Sequence, residues 1–224
     1  MKTNTKILLV GIVQLVVLGL MLFLAAGTFN YWQAWVFLVV AALSTSIPTS
    51  YLQRRNPAAL QRRMRGGPTA ETRMVQKVVI AGWLLSLAAM FVVSALDHRF
   101  GWSTLPTAIS LVGDVLVAVG LGVMMLVVIQ NSHAAATVRV EAGQKLISTG
   151  LYGLVRHPMY TGNVIMMVGI PLALGSYWGL VFVVPGLIVL ASRIRDEEKL
   201  LQKELDGYRE YTQKVRYRLV PCMW

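Results

Sequence analysis

The chain has 224 residues, 56% of them hydrophobic and only 14% charged, with a net charge of +11. Soluble domains carry about 25% charged residues, so this balance excludes an ordinary water-soluble globule. A basic excess also suits nucleic acid, but here the basic residues sit in the gaps between apolar runs, a pattern that signals membrane topology and argues against a nucleic-acid partner.

Three stretches carry no Asp, Glu, Lys or Arg: between Lys6 and Arg54, between Lys77 and Asp97, and between Arg156 and Arg193. A membrane crossing needs about 20 apolar residues. The first run, from Ile7 to about Gly27, is too long for the roughly 7–15 residues of a signal-peptide core and is expected to be a retained helix over 7–26. A short aromatic turn through Tyr31 and Trp32 leads into a second helix over 32–51. Residues 53–77 then form a polar connection with seven basic residues against the single acid Glu71, a net charge of +6. Gly66-Gly67-Pro68 breaks any helix there.

A third helix is expected over 78–96 and a fourth over 106–129, joined by a near-neutral loop from Asp97 to Leu105. A second polar connection covers 131–156. Two apolar arms follow, 158–174 and 177–192, separated by Gly175-Ser176, which suggests a tight helical hairpin. Residues 193–224 alternate charges and suggest an amphipathic surface helix. The expected fold is therefore all-α and polytopic, with about six crossings. Residues 1–130 hold the first four helices, and 131–224 hold the polar loop, hairpin and tail. The positive-inside rule puts the +6 connection in the cytoplasm, and with it both termini, the 131–156 loop and the tail.

The single cysteine, Cys222, rules out an internal disulfide and a cysteine metal site. No histidine–carboxylate cluster suits zinc or iron, so no metal is expected. Asp114 lies within the fourth helix, where an acid is a functional candidate by default, although a water-reached position near the outer end is an equal alternative. His133 is expected at the interface.

Polar chemistry concentrates after residue 143. Gly150, Gly153 and Gly162 permit close backbone approach to a ligand. Pro158 suits the first turn of a helix whose N–H groups are unpaired. Tyr152, His157 and Tyr160 offer polar tips on flat rings, Glu197 an acceptor for hydroxyls, and Arg193 a two-pronged donor for a carboxylate or phosphate. Each has a plainer role too: Arg156 as a snorkelling anchor, Glu197 and Glu198 as a solvated face with Lys199 and Lys203, Tyr208 and Tyr211 as belt aromatics. The hairpin, however, returns both polar segments to one membrane face.

The order Thr149-Gly150-x-Tyr152, Arg156-His157-Pro158-x-Tyr160-x-Gly162, an apolar hairpin, Arg193-x-x-x-Glu197-Glu198-x-x-Leu201, then Gly207-Tyr208-x-x-Tyr211 and Pro221 resembles the isoprenylcysteine carboxyl methyltransferase family and is similar to the related phospholipid methyltransferases. The resemblance covers about 143–221. It implies S-adenosyl-L-methionine as cofactor and a lipidic substrate drawn from the membrane. It implies cofactor contacts at Gln144, Lys145, Leu146 and Ile147 by their distance from the Gly-x-Tyr element, and at Tyr152, His157, Pro158, Met159, Tyr160 and Glu197 by motif. Arg193 matches the arginine that orients the substrate carboxylate. Gly153-Leu154 departs from the pattern, where relatives carry a more polar residue. Membrane sterol-type reductases, which use NADPH, resemble the same region and define one alternative. A non-enzymatic transport or assembly protein defines another.

Overall fold

The computed structural model describes residues 3–65, 74–131, 146–221 and 224. Among these the chain is helical: α1 Thr3–Ala26, α2 Trp32–Arg55, α3 Pro57–Arg65, α4 Met74–Phe100, α5 Thr107–Gln130, α6 Pro158–Ala173, α7 Val183–Glu204 and α8 Tyr208–Lys214. Five helical segments are long and apolar enough to cross a membrane: 7–26, 32–55, 74–100, 107–130 and 178–204. The sixth apolar helix, α6, has 16 residues and is shorter than these. At 1.5 Å per residue it spans only about 24 Å.

Three elements differ from expectation. Short helix α3 lies within the expected polar connection. Its Ala59 and Leu60 are buried against Leu52 of α2 and Val128 of α5. Within the expected hairpin the two arms are not each other's main partners: α6 packs far more extensively on α5 than on α7. A 3-10 turn over Trp178–Phe182 precedes α7. Finally, α7 does not stop where the charges begin. No Gly or Pro lies between Gly186 and Gly207, so the backbone stays helical through Arg193 to Glu204. The tail is thus the end of α7, then α8, then a stretch from Val215 without helix.

Glycines explain the α5–α6 pair. Gly113 and Gly120 on α5 face Gly162 and Gly169 on α6. A Cβ on Gly120 would lie 2.6 Å from the Gly162 carbonyl oxygen, and one on Gly162 would lie 2.7 Å from that of Gly120. Only residues without side chains let two backbones meet this closely, the usual device where lipid offers no hydrophobic drive between helices. Gly162 is therefore committed to helix packing. On the same buried stripe of α5 lies Asp114, only 5% exposed and enclosed by the bundle.

The end of the bundle remote from the site is tied by polar groups. Asp97 is fully buried and accepts from the Ser103 amide (2.6 Å), the Ser103 hydroxyl (2.7 Å) and the Ser176 hydroxyl (2.5 Å). Tyr31, in the short aromatic turn before α2, is also fully buried. It stacks on His98 at 3.8 Å between ring centroids and donates to the Leu174 carbonyl at 2.6 Å. These bonds hold the ends of α4 and α6 together and so set where the opposite ends of those helices stand.

Candidate active site

The start of α6, the charged end of α7, α8 and the C-terminal stretch meet at one end of the bundle. His157 caps α6, with Pro158 as its first residue, where a missing N–H costs nothing. The N–H groups of Arg156 and His157 are not open to a ligand. They donate to the carbonyls of Tyr217 and Arg218, each at 2.9 Å, and the Thr161 hydroxyl donates to the Leu219 carbonyl at 2.7 Å. The C-terminal stretch is laced onto the start of α6.

Two polar networks occupy this junction. The first centres on Glu198, which is 5% exposed. Its carboxylate meets Arg156 Nη1 at 3.1 Å, His157 Nε2 at 3.3 Å, and Arg218 Nε and Nη2 each at 3.0 Å. Arg156 is thus a buried ion-pair partner. A snorkelling Arg would leave its guanidinium in water, whereas this side chain is only 8% exposed. The solvated-face role fails for Glu198 as well.

The second network runs through Tyr160, whose hydroxyl donates to Glu197 Oε2 at 2.5 Å and accepts from Arg193 Nε at 2.8 Å. Arg193 Nη1 donates to Gln76 Oε1 of α4 at 3.1 Å, and Gln76 Nε2 donates to Asp196. Arg193, Asp196 and Glu197 share a face of α7 because they are three and four residues apart. The His157 and Tyr160 rings stack at 5.5 Å and join the two networks.

A wall of tyrosines closes the site. Tyr208 and Tyr211 are buried on one face of α8 and pack with Val215 and Leu146, so they are not belt aromatics. The Tyr211 hydroxyl donates to the Tyr152 carbonyl at 2.7 Å, and Asn131 Nδ2 donates to the Tyr152 hydroxyl at 3.2 Å. Burial pushes the Tyr152 phenol up to about 12, with the Asn131 hydrogen bond pulling it down and the Glu197 charge adding to the rise. Burial, then the charges of Glu198 and Glu197, push Tyr208 further up. Both rings are neutral at physiological pH. Gly150 adopts φ +62°, and a Cβ there would come within 2.8 Å of the Gln130 amide, so it serves the α5 end of the site.

Of the residues singled out from sequence, Tyr152, His157, Tyr160, Arg193 and Glu197 come together. Leu146 joins the tyrosine wall, and Ile147 is half-buried beside it in sequence. Met159 packs against the Leu52, Leu60 and Val128 cluster. Gln144, Lys145 and His133 lie outside the described residues. Sequence reasoning missed Glu198, Arg218, Asn131 and Gln76. Only Glu198 carried a local signal, as half of an acidic pair.

A ligand with a flat ring, hydroxyls and a charged end fits this donor set. The Tyr208 hydroxyl and Arg156 Nε are buried with no partner among the described residues, beside the tyrosine rings. Part of the chain is similar to known proteins. Residues 108–206, less than half of the chain, match the phospholipid methyltransferase family. A stretch of 91 residues is 33% identical to a Delta(14)-sterol reductase from Mus musculus, covering 39% of this chain and 22% of that protein. Another is 36% identical over 91 residues to a probable 7-dehydrocholesterol reductase of Acanthamoeba polyphaga mimivirus, covering 38% and 20%. The matches thus span about a fifth of the length of these curated relatives, and the chain is similar to the phospholipid methyltransferase family from α5 to the end of α7.

Proposed function

We propose that this protein transfers a methyl group from S-adenosylmethionine to a carboxylate or amine on a lipidic acceptor, at the cytoplasmic membrane face. The observation that carries this is the meeting of His157, Tyr160, Glu197 and Glu198 in one connected polar site. The family match over 108–206 supports it. The orientation is supported by charge. Arg54 and Arg55 at the end of α2, Lys77 at the start of α4 and the basic residues after Arg193 share the end of the bundle that holds the site, as cytoplasmic ends do.

Tyr152, His157, Tyr160 and Glu197 are the residues to hold the cofactor, with Leu146 and Ile147 on its apolar side. By the family resemblance, Gln144, Lys145, Pro158 and Met159 extend that set. When bound, S-adenosylmethionine supplies a methyl group carried on a positive sulfur. The protein's own work is alignment and exclusion of water. Arg193 is held by Tyr160 and Gln76 in a fixed orientation suited to an anionic oxygen group on the acceptor. A carboxylate acceptor has no proton to lose. A protonated amine must lose one, and Glu197, which already takes the Tyr160 hydroxyl proton in a hydrogen bond, is the carboxylate suited to receive it.

The test is transfer of radiolabelled methyl from S-adenosylmethionine to a membrane lipid extract by the purified protein. Labelled lipid is the expected result, and cofactor binding without transfer would leave a binding role alone. The similarity to two sterol reductases favours one other reading, NADPH-dependent reduction of a sterol-type lipid. Parallel titrations with S-adenosylhomocysteine and NADPH separate the two.

A further inference from the structure

We propose that the seam between α6 and α7 is the slot for the hydrocarbon chain of the methyl acceptor, and that the Trp224 ring fills this slot until the chain displaces it. The proposal deepens the methyltransferase reading of the same site and rests on it. It also gives a role to Trp224, which lies beyond the residues 108–206 that match the family.

The two helices that carry the site touch each other little. α7 packs more extensively on α4 than on α6, and α6 packs mainly on α5. Near the site, side chains fill the gap, and the filling is apolar. Leu190 and Ile194 of α7 are buried together with Leu219, and Tyr160 and Val164 of α6 and Trp224 pack against this cluster. The C-terminal stretch bridges the same gap. The Leu219 carbonyl accepts from the Thr161 hydroxyl of α6 at 2.7 Å, and Arg218 Nε donates to Glu198 of α7 at 3.0 Å. At the polar end of the slot stands Tyr160, whose hydroxyl donates to Glu197. Towards the other end Leu187, three residues before Leu190 and on the same side of α7, is exposed, so the slot continues to the lipid-facing surface. An apolar slot that runs from lipid to a polar methyl-transfer site fits one occupant, the chain of an acceptor drawn from the bilayer.

Leu219 and Trp224 differ in how firmly they sit there. Leu219 is buried, with its backbone bonded to α6. Trp224 is only half-buried. Its carbonyl accepts from the Arg218 and Leu219 amides, at 2.6 and 3.0 Å, and Arg218 Cζ lies 5.1 Å from the centre of its ring. The backbone bonds do not depend on the rotamer of the side chain. The ring can therefore leave the slot by rotation about its own side-chain bonds, giving up apolar contact and the cation–π contact with Arg218. An incoming chain replaces that apolar contact. Its apparent affinity is lowered by the fraction of protein in which the ring still fills the slot.

The experiment uses the full chain in phosphatidylcholine nanodiscs, with empty nanodiscs as the blank. Equilibrium binding is measured for two pairs of radiolabelled probes, S-farnesyl against S-methyl cysteine and long-chain against short-chain phosphatidylethanolamine. Trp224→Ala is expected to tighten binding of the long-chain member of at least one pair roughly threefold or more, with its short-chain partner and S-adenosylhomocysteine unaffected. Val164→Phe narrows the slot and is expected to weaken the same long-chain probe by a similar factor, again without effect on the short-chain probe or the cofactor. A ring that only packs would change both members of a pair alike, or neither. Fluorescence reads the displacement itself. The Trp224 signal, taken as the difference between wild type and Trp224→Phe, is expected to move to longer wavelength as the long-chain probe binds. Unchanged or weaker binding of both long-chain probes in Trp224→Ala overturns the proposal, as does a Trp224 signal that stays in place at saturating probe. Failure of the wild-type protein to bind S-adenosylhomocysteine removes the methyltransferase reading, and the chain-length dependence and the fluorescence shift then still decide whether the slot takes a lipid chain.

Discussion

Removing the Glu198 carboxylate tests how the site is held together. Glu198→Ala deletes the one anion shared by Arg156, His157 and Arg218. The Arg156 guanidinium stays buried, at 8% exposure, with its main counter-ion gone. Breaking a buried pair from one side costs about 3–5 kcal/mol, because a charge is left out of water without compensation. Arg218 is 29% exposed and regains water, so its loss of partner adds about 1 kcal/mol or less. For a chain of this size each kcal/mol shifts the melting temperature by about 2–4 °C, so the expected drop is on the order of 10 °C. The assay is thermal unfolding in detergent, followed by intrinsic fluorescence. Glu198→Gln, which keeps the shape and one acceptor, is expected to lose about half as much. Arg218→Ala should also speed proteolysis within 215–221, since the stretch loses one of its ties. A melting temperature for Glu198→Ala within 2 °C or so of wild type, on the same scale, would refute the reasoning that this cluster is an energetic hub.

Four further outcomes follow from the geometry. Arg193→Lys keeps a charge but not the fork that reaches Tyr160 and Gln76 together, so acceptor KM should rise roughly tenfold while S-adenosylhomocysteine affinity holds. Gly120→Ala drives a methyl into the α6 backbone and should cost about 1–3 kcal/mol in thermal unfolding. Gly122→Ala, where a Cβ meets nothing, should be neutral or stabilising by up to about 1 kcal/mol. Tyr152 ionises near 12 instead of near 10. The native state therefore keeps a proton that the unfolded chain gives up, so stability is complete below about pH 10 and falls as pH rises towards 12, with a shallower fall in Tyr152→Phe when melting is followed against pH.

The sequence made the membrane helices plain because lipid demands long charge-free runs: 7–26 and 78–96 fall inside α1 and α4, and 106–129 matches α5 to within one residue at each end. What it hid were features that hydropathy does not encode. Arg193 marks a change of solvent, not a change of backbone, so α7 runs on past it. In α3 the buried residues among the described side chains are Ala59 and Leu60, flanked in sequence by basic residues, too short a pattern to raise an apolar signal. Glycines seven apart on α5 and α6 chose the pairing that composition left open. Glu197 and Glu198 are adjacent in sequence but point about 100° apart around the helix, so one reaches Tyr160 and the other His157. Gln76 lies 117 residues before Arg193 and has no local pattern at all. The aromatic and histidine members of the site were legible because they sit close together around Pro158.

The most direct measurement is equilibrium binding of S-adenosylhomocysteine to the purified full chain, wild type beside His157→Ala, Glu197→Ala and Asp97→Asn. Saturable binding is expected, weakened roughly tenfold or more by each of the first two, which remove hydrogen-bonding groups at the site. It should be unchanged by Asp97→Asn, which alters the far end of the bundle. Absence of binding, or binding indifferent to residues 157 and 197, would contradict a cofactor site at the junction of α6 and α7.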